Sequence, residues 1–267
     1  MEFIEFVAQF DKMIDNRIIG MPNLINSKIN FRGKNNILVC DNNIKIENSV
    51  LDFNGDNSLV YICSDLNNNF NLVIYNNSTL YVGKDVEMGC SVNLSLLESR
   101  NLIIGDDCVI KNNVHISNSV GYSYYNSSSK DRLNFPMSVF IGDHVFLGDN
   151  AHILNGVKIG SGSIIGECSV ILPYSKIPSN VYLLGNPAKI IKNNVFFTKD
   201  FTGSYLNEDI ASSKDYKSNI FIYEKINQET LSFDNVDKIL NDLDVESRRD
   251  FIHKLFVKNK RKNRFTL

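Results

Sequence analysis

Aliphatic residues recur at every sixth position in the C-terminal half of the chain. They are Ile141, Leu147, Ile153, Ile159, Ile165 and Ile171. Four residues after each of the first five stands a small or β-branched side chain: Val145, Ala151, Val157, Ser163 and Ser169. A period of six indicates a short strand and a turn in each repeat, with every aliphatic residue pointing into a shared interior. Because no single repeat can bury its apolar side, stacked coils must create the core.

Earlier segments carry weaker versions of the same pattern. One block contains Ile104, Ile110 and Ile116, and a second contains Val82, Met88 and Leu94. Before Val82 the alternation of apolar and polar residues is irregular, which predicts strands of irregular early coils. The pattern predicts an all-β solenoid. An antiparallel β-sandwich is the alternative, although sandwiches do not hold a fixed six-residue register.

The flanks differ from the repeats. Apolar residues fall at helical spacing over residues 3–14, which predicts a helical N-terminal segment within residues 1–30. The solenoid is then assigned to residues 31–192. The remaining 193–267 form a C-terminal extension that begins polar and is predicted to be helical near 234–257.

The repeat is interrupted once, between Ile116 and Ile141. The gap of 25 residues is one six-residue step plus 19 more, and it predicts a protruding loop over residues 117–138. A loop of this length in a compact coil is more often functional than idle. If all 19 residues lie in the loop, Ile116 and Ile153 occupy equivalent positions in adjacent coils. His115 and His152, which precede them, then face outward and stack at the strand spacing of about 4.8 Å.

Composition narrows the function classes. The 267 residues are 43% hydrophobic and carry a net charge of −2, so the chain has no overall attraction for nucleic acid or an anionic membrane. The five cysteines are scattered without a C-x-x-C pair, which predicts a reduced, cytoplasmic protein without a zinc site. The acidic N-terminus and the lack of an apolar run of membrane length argue against a signal peptide or a membrane span.

The stretch IGDHVFLGDNAHILNGVKIGSGSIIGECSVI, followed by IPSNVYLLGNPAKIIKN, resembles the hexapeptide-repeat acyltransferases. The closest resemblance is to the sugar and capsular polysaccharide O-acetyltransferases. This resemblance implies a left-handed parallel β-helix, a homotrimer, and acetyl-CoA as acyl donor between adjacent prisms.

The resemblance also implies residues for the cofactor. They are Phe146, where the family commonly has Trp, with Gly162, Ser163, Gly185, Asn186, Pro187, Ala188 and Lys189. The alternative for the Gly185–Lys189 segment is a turn that only ends the last coil.

The family's long loop carries a catalytic histidine, typically in a Gly-His pair, which deprotonates the acceptor hydroxyl. The matching pair here is Gly121-Tyr122, and residues 117–138 contain no histidine. Tyrosine, with an ordinary pKa near 10, is a poor base at neutral pH. His115, His144 and His152 are therefore the candidate bases, although each could be a surface histidine without a catalytic role. Two stacked imidazoles disfavour double protonation, which would keep one of them neutral.

These observations predict an acetyl-CoA-dependent O-acetyltransferase acting on a cell-surface saccharide, with Tyr122, Tyr124 and Tyr125 able to stack on sugar rings. Two alternatives remain open. One is an N-acetyltransferase acting on an amino sugar, since an amine needs less help from a base. The other is a non-catalytic β-helix that binds saccharides or serves as a scaffold, because fold alone does not establish activity.

Overall fold

The computed structural model describes residues 2–4, 14–66, 68–200 and 202–267. In these residues the chain winds into a parallel β-solenoid of eight coils with three faces. Face 1 is an eight-stranded sheet formed by Arg17–Ile19, Ile37–Cys40, Leu59–Ile62, Thr79–Val82, Leu102–Ile104, Val139–Ile141, Lys158–Ile159 and Lys176–Ile177.

The other two faces complete each coil. Face 2 is formed by Asn23–Ile25, Lys45–Glu47, Glu87–Met88, Val109–Ile110, Phe146–Leu147, Ile164–Ile165, Val181–Gly185 and the antiparallel Ala188–Asn193. Face 3 is formed by the antiparallel Glu2–Ile4 and by Lys28–Phe31, Val50–Phe53, Asn71–Ile74, Asn93–Leu96, His115–Ser117, His152–Ile153 and Val170–Ile171.

The six-residue register predicted from the sequence is confirmed. Residues of the repeat pair directly across successive coils: Ile141 with Ile159, Leu147 with Ile165, and Ile153 with Ile171. These aliphatic side chains are all buried in the prism interior, as are the small residues between them. Each coil therefore buries its apolar residues only against its neighbours, as the period requires.

The corners of the prism explain the many asparagines. More than half of the described non-glycine residues with positive φ are Asn, among them Asn57, Asn113 and Asn150. Asn tolerates the left-handed region better than most residues. Some corner residues also bond to the next coil, as where the Asn35 amide donates to Oδ1 of Asn57 at 2.8 Å.

The N-terminal prediction needs correction. Glu2–Ile4 is a strand that pairs antiparallel with Lys28–Phe31, and Arg17–Ile19 already belongs to face 1. The solenoid thus begins at residue 17 and not at 31, and a helical segment over 1–30 is wrong for the described residues. The physical reason is that the first coil offers an unpaired edge whose backbone groups a strand satisfies and a helix does not. Most of the helix predicted over 3–14 falls on residues 5–13, outside the described ones.

The C-terminal extension contains helices over the predicted range 234–257 and one short helix, at residues 207–212, that was not predicted. They are α1 (Asn207–Ser212), α2 (Phe233–Asp242) and α3 (Val245–Ile252), with a 3₁₀ turn at Thr202–Ser204 and a π-helical turn at His253–Val257. No helix in the described part of the chain is long and apolar enough to cross a membrane.

Helices α2 and α3 and the π-helical turn pack on the outer side of face 1. The Phe233 ring stacks on Phe140 with centroids 4.8 Å apart, and the Phe256 ring stacks on Tyr81 at 5.1 Å. Face 1 is consequently buried on both sides, by the prism interior and by the extension. The end of face 1 stays open at Lys176, which lines a pocket of about 270 Å³ together with Lys158 and residues of the extension.

Candidate functional site

The protruding loop leaves the solenoid after face 3 and returns at face 1. Asn118 fixes its start, because its Oδ1 accepts from the backbone N–H of Leu97 and its amide donates to the carbonyl of Arg100. Farther out, Arg132 binds Glu98 at 2.6 Å, which ties the loop to the preceding coil. The loop is therefore held against the prism by the contacts of Asn118 and Arg132.

His115 and His152 stack as the register predicted. They are partners in adjacent coils of face 3, and their rings lie 5.0 Å apart between centroids with an angle of 5° between planes. Both side chains are exposed, whereas Ile116 and Ile153 beside them are buried. The pair thus presents imidazole nitrogens to solvent at the coil from which the loop departs.

The electrostatics of this pair favour a neutral imidazole. Partial burial, and then the neighbouring His152, lower the pKa of His115 from its ordinary value. Two positive charges on stacked rings repel each other, so protonation of one ring disfavours protonation of the other. A neutral His115 is an acceptor of protons near pH 7, as a general base must be.

The loop tyrosines are exposed. Tyr122 is 84% exposed, and Tyr124 and Tyr125 are each more than half exposed. Tyr122 and Gly121 line a cavity of about 550 Å³ at the loop base, and its other walls include Tyr75 and Glu98. An exposed aromatic surface beside a cavity can stack on sugar rings.

A second groove lies on face 2 near the end of the solenoid. It has a volume of about 430 Å³ and is lined by Phe146, Ile164, Gly166, Glu167, Tyr182 and Leu184. The predicted cofactor residue Phe146 therefore faces an open, largely apolar groove. The Gly185–Lys189 segment follows the strand that carries Tyr182 and Leu184.

The Gly185–Lys189 segment is the turn between the last two strands of face 2. Gly185 pairs with Ala188 and Leu184 with Lys189 across this antiparallel hairpin. The backbone N–H of Gly185 donates to Oγ of Ser169 at 3.1 Å, while Asn186, Pro187 and Lys189 are exposed. The segment thus makes the turn off the last coil, and its exposed residues remain open to a ligand.

Two predicted cofactor residues lie elsewhere. Gly162 and Ser163 are buried, and the Ser163 hydroxyl donates to the carbonyl of Pro178 at 2.7 Å. The ring of Tyr223, from the C-terminal extension, covers Gly162. Neither residue offers a surface to CoA, so their assignment to the cofactor is wrong. The repeat pattern gives no sign of a covering segment that arrives from 60 residues downstream.

The structure also removes His144 from the candidate bases. Its side chain is 0% exposed and lies between the rings of Phe197 and Phe221, with centroids 4.1 and 3.9 Å away. Its Nδ1 lies 2.7 Å from Oδ2 of Asp107, and its Nε2 lies 2.9 Å from the carbonyl oxygen of Phe197. With both nitrogens bound and both faces covered, His144 cannot reach a substrate.

Sequence reasoning missed the buried ion pair that anchors the end of the extension. The guanidinium of Arg264 binds both carboxylate oxygens of Asp143, at 2.7 and 2.8 Å, and also contacts Asp106 at 2.9 Å. The sign of this pair in the sequence was the position of Arg264 among apolar and basic residues near the C-terminus.

The described residues give no support for a metal centre. Among the described residues, no group of three or more His, Cys, Asp or Glu side chains is arranged to hold a metal ion. The open features are instead an imidazole pair, an aromatic loop and an apolar groove.

Comparisons with known proteins agree with the repeat architecture of the solenoid. The family profile described as bacterial transferase hexapeptide (six repeats) matches residues 138–173, and the hexapeptide repeat of succinyl-transferase matches residues 102–118. A search of curated protein sequences found no match.

Two solved structures resemble the chain over most of its length. The polySia specific acetyltransferase NeuO is 30% identical, with a TM-score of 0.65 over 75% of this chain and 90% of NeuO. The polysialic acid O-acetyltransferase OatWY is 24% identical, with a TM-score of 0.50 over 76% of this chain and 97% of OatWY, and it supports the fold alone. Because NeuO is 30% identical to this chain over three quarters of its length, and the repeats match the hexapeptide profiles, the chain belongs to the hexapeptide-repeat acetyltransferases, left-handed β-helix proteins related to the polysaccharide O-acetyltransferases.

Proposed function

We propose that this protein transfers an acetyl group from acetyl-CoA to a hydroxyl of a cell-surface saccharide. The observation that carries the proposal is the exposed His115–His152 stack beside the long loop, in a chain that is 30% identical to a polySia specific acetyltransferase. The stack supplies a base where the loop itself has Tyr122.

His115 is the proposed general base. Its neutral ring takes the proton from the acceptor hydroxyl, whose oxygen attacks the thioester carbonyl of acetyl-CoA. The carbon–sulfur bond of the thioester breaks, the acetyl group becomes an ester on the sugar, and the His115 imidazolium returns its proton to the departing sulfur, so that CoA leaves as the thiol. His152 keeps His115 neutral through the repulsion that a second positive charge would meet.

The groove at Phe146 is the proposed site for the acyl donor. Its apolar walls suit the pantetheine arm, and Phe146 offers a ring where the family commonly has Trp. The exposed Asn186, Pro187 and Lys189 at the end of face 2 then lie toward the nucleotide end of CoA. The Lys189 ammonium would pair with a phosphate there.

A homotrimer completes the proposed site. His115 stands on face 3 and Phe146 on face 2, and outward side chains on two faces of one prism diverge. A neighbouring copy that packs its face 2 toward face 3 would bring donor and base together. Exposed apolar residues of the loop, including Tyr122, Leu133 and Phe135, provide a surface for that contact.

The acceptor follows from the aromatic loop and from the relatives. Tyr122, Tyr124 and Tyr125 can stack on sugar rings, and NeuO, which is 30% identical to this chain, is a polySia specific acetyltransferase. Polysialic acid is therefore the first acceptor to assay, followed by neutral capsular and lipopolysaccharide sugars.

The decisive experiment begins with titration of the full chain with CoA and acetyl-CoA by calorimetry. Saturable binding and acetyl transfer to a saccharide are expected for the wild type. His115→Ala should retain CoA binding and lose transfer, while His253→Ala, on the far side of the prism, should retain both. A folded protein that binds no CoA at millimolar concentration would overturn the proposal.

A further inference from the structure

The buried histidine at the corner of face 2 carries a role that the proposed chemistry does not use. Both hydrogen-bond partners of His144 are acceptors: the Asp107 carboxylate at Nδ1 and the Phe197 carbonyl at Nε2. A neutral imidazole has only one N–H donor, whereas an imidazolium has two. The docked geometry therefore uses the doubly protonated, positively charged ring.

The surroundings of His144 suit a positive charge despite complete burial. The Asp107 carboxylate forms an ion pair with the ring. The faces of Phe197 and Phe221 lie nearly parallel to it, at 5° and 6°, and aromatic faces attract cations. The pKa of Asp107 reflects this contact: although burial raises it, hydrogen bonds from His144 and Lys199 outweigh burial and hold it below its ordinary value.

Three of these contacts come from one segment of the C-terminal extension. Phe197 supplies both a ring and a carbonyl to His144, and Lys199 binds Oδ1 of Asp107 at 2.7 Å. Phe197 also meets the ring of Phe146 edge-on, with centroids 5.5 Å apart. The residue that binds the imidazolium is thus the residue that supports Phe146 in the proposed donor groove.

We propose that His144, as an imidazolium, is a positioning residue that docks the extension at Phe197 and thereby sets the orientation of Phe146 toward the acyl donor. Only the link from His144 to Phe146 and the acyl donor rests on the proposed function. Docking of the extension by His144 stands on the contacts themselves. Raising the pH removes the second proton, one of the two acceptors loses its donor, and the segment around Phe197 loosens.

Other charged groups face the same corner. Asp106 and Asp143 lie beside it and are paired with Arg264. From the extension, Tyr223 lies close by, and burial raises its pKa beyond the neutral range. The pH response of the docked segment is assigned to His144 because only its imidazolium form supplies N–H donors to both the Asp107 carboxylate and the Phe197 carbonyl.

The test measures hydrogen exchange of residues 194–200 in the full chain between pH 5.5 and 8.5, corrected for the intrinsic pH dependence of exchange. As the pH rises, the constant for docking of this segment should fall by up to about tenfold per pH unit, which is the dependence expected for the loss of one proton. His144→Phe keeps a ring between Phe197 and Phe221 but has no donor, so it should show low protection at every pH. Asp107→Asn should shift the loss of protection to lower pH, because it removes the ion pair and keeps an acceptor.

A matched control addresses His253, the histidine that lies in the extension itself. The His253 ring accepts or donates one bond, with the Tyr61 hydroxyl at 2.9 Å, and His253→Phe should leave the pH dependence of residues 194–200 unchanged. Protection that does not vary with pH in the wild type, or that varies equally in His144→Phe, would overturn the docking role.

Calorimetric titration with CoA at the same pH values tests the link from His144 to Phe146 and the acyl donor. The Kd for CoA should rise as protection of residues 194–200 falls, and His144→Phe should have the high Kd at every pH. A constant Kd alongside pH-dependent protection would overturn the link to the donor groove. No CoA binding at any pH would instead contradict the proposed function, while the exchange measurement still decides the role of His144.

Discussion

The imidazole ring of His152 lies parallel to that of His115, one coil farther along face 3, at 5.0 Å between centroids. This relationship makes the protonation of one ring depend on the charge of the other. It also gives the pair a role that a single exposed histidine would not have, because the like charge keeps His115 available as a base at lower pH.

The pH profile of acetyl transfer should report this coupling. The pKa of His115 is lowered by partial burial and then by His152, so the acid limb of kcat/KM should lie below the ordinary histidine value of about 6.5. His152→Asn removes the like charge and should move the acid limb upward, while burial keeps part of the shift. The measurement is kcat/KM from pH 5 to 9.

Two results would contradict this assignment. An acid limb that stays in place in His152→Asn would show that the rings do not interact in the free enzyme. Complete loss of activity in His152→Asn, with activity retained in His115→Ala, would transfer the role of base to His152. His253→Asn serves as the control and should keep the wild-type profile.

The donor groove gives a second prediction. Phe146→Ala removes the aromatic wall beside Ile164 and Tyr182, and the Kd for CoA should rise on the order of tenfold, since each lost interaction of about 1.4 kcal/mol is a factor of ten. Phe146→Trp keeps an aromatic face and should bind CoA at least as tightly as the wild type. Calorimetry measures both, and equal affinity in Phe146→Ala would place the donor elsewhere.

The register of the solenoid could be predicted because it depends on local spacing. A period of six residues fixes which side chains point inward, and the length of the interruption fixes which coil follows the loop. The alignment of His115 with His152 followed from these two facts alone. The first coils were harder to assign because four-residue strands and longer turns replace the short repeat there.

The contacts of the C-terminal extension could not be predicted in the same way. His144 meets Phe197 and Phe221, which are 53 and 77 residues downstream and belong to no repeat. One signal was present in face 1, whose strands read ILVC and LVYI without polar residues facing outward. A strand that is apolar on both sides is buried on both sides, so the pattern indicates an element that covers the outer side of face 1.

That covering element should contribute strongly to stability. Phe233→Ala removes the ring that stacks on Phe140 and also packs on Phe265, and it should lower the free energy of unfolding by about 3–5 kcal/mol. Ile239→Ala, on the exposed side of α2, should change it by less than about 1 kcal/mol. Urea denaturation followed by fluorescence and circular dichroism measures both variants. Similar losses in the two variants would mean that α2 does not depend on its contact with face 1.

Breaking the buried pair of Arg264 and Asp143 by removing one partner should strongly lower the free energy of unfolding. Arg264→Ala leaves the Asp143 carboxylate buried without its guanidinium, which typically costs about 3–5 kcal/mol. Arg261→Ala, at an exposed position of the same segment, should change the free energy of unfolding by about 0.5 kcal/mol or less. The double variant Asp143→Asn with Arg264→Met should recover part of the loss, because it removes the unpaired buried charge. A double variant no more stable than Arg264→Ala would show that the cost arises from lost packing and hydrogen bonds of the guanidinium, and not from the stranded carboxylate.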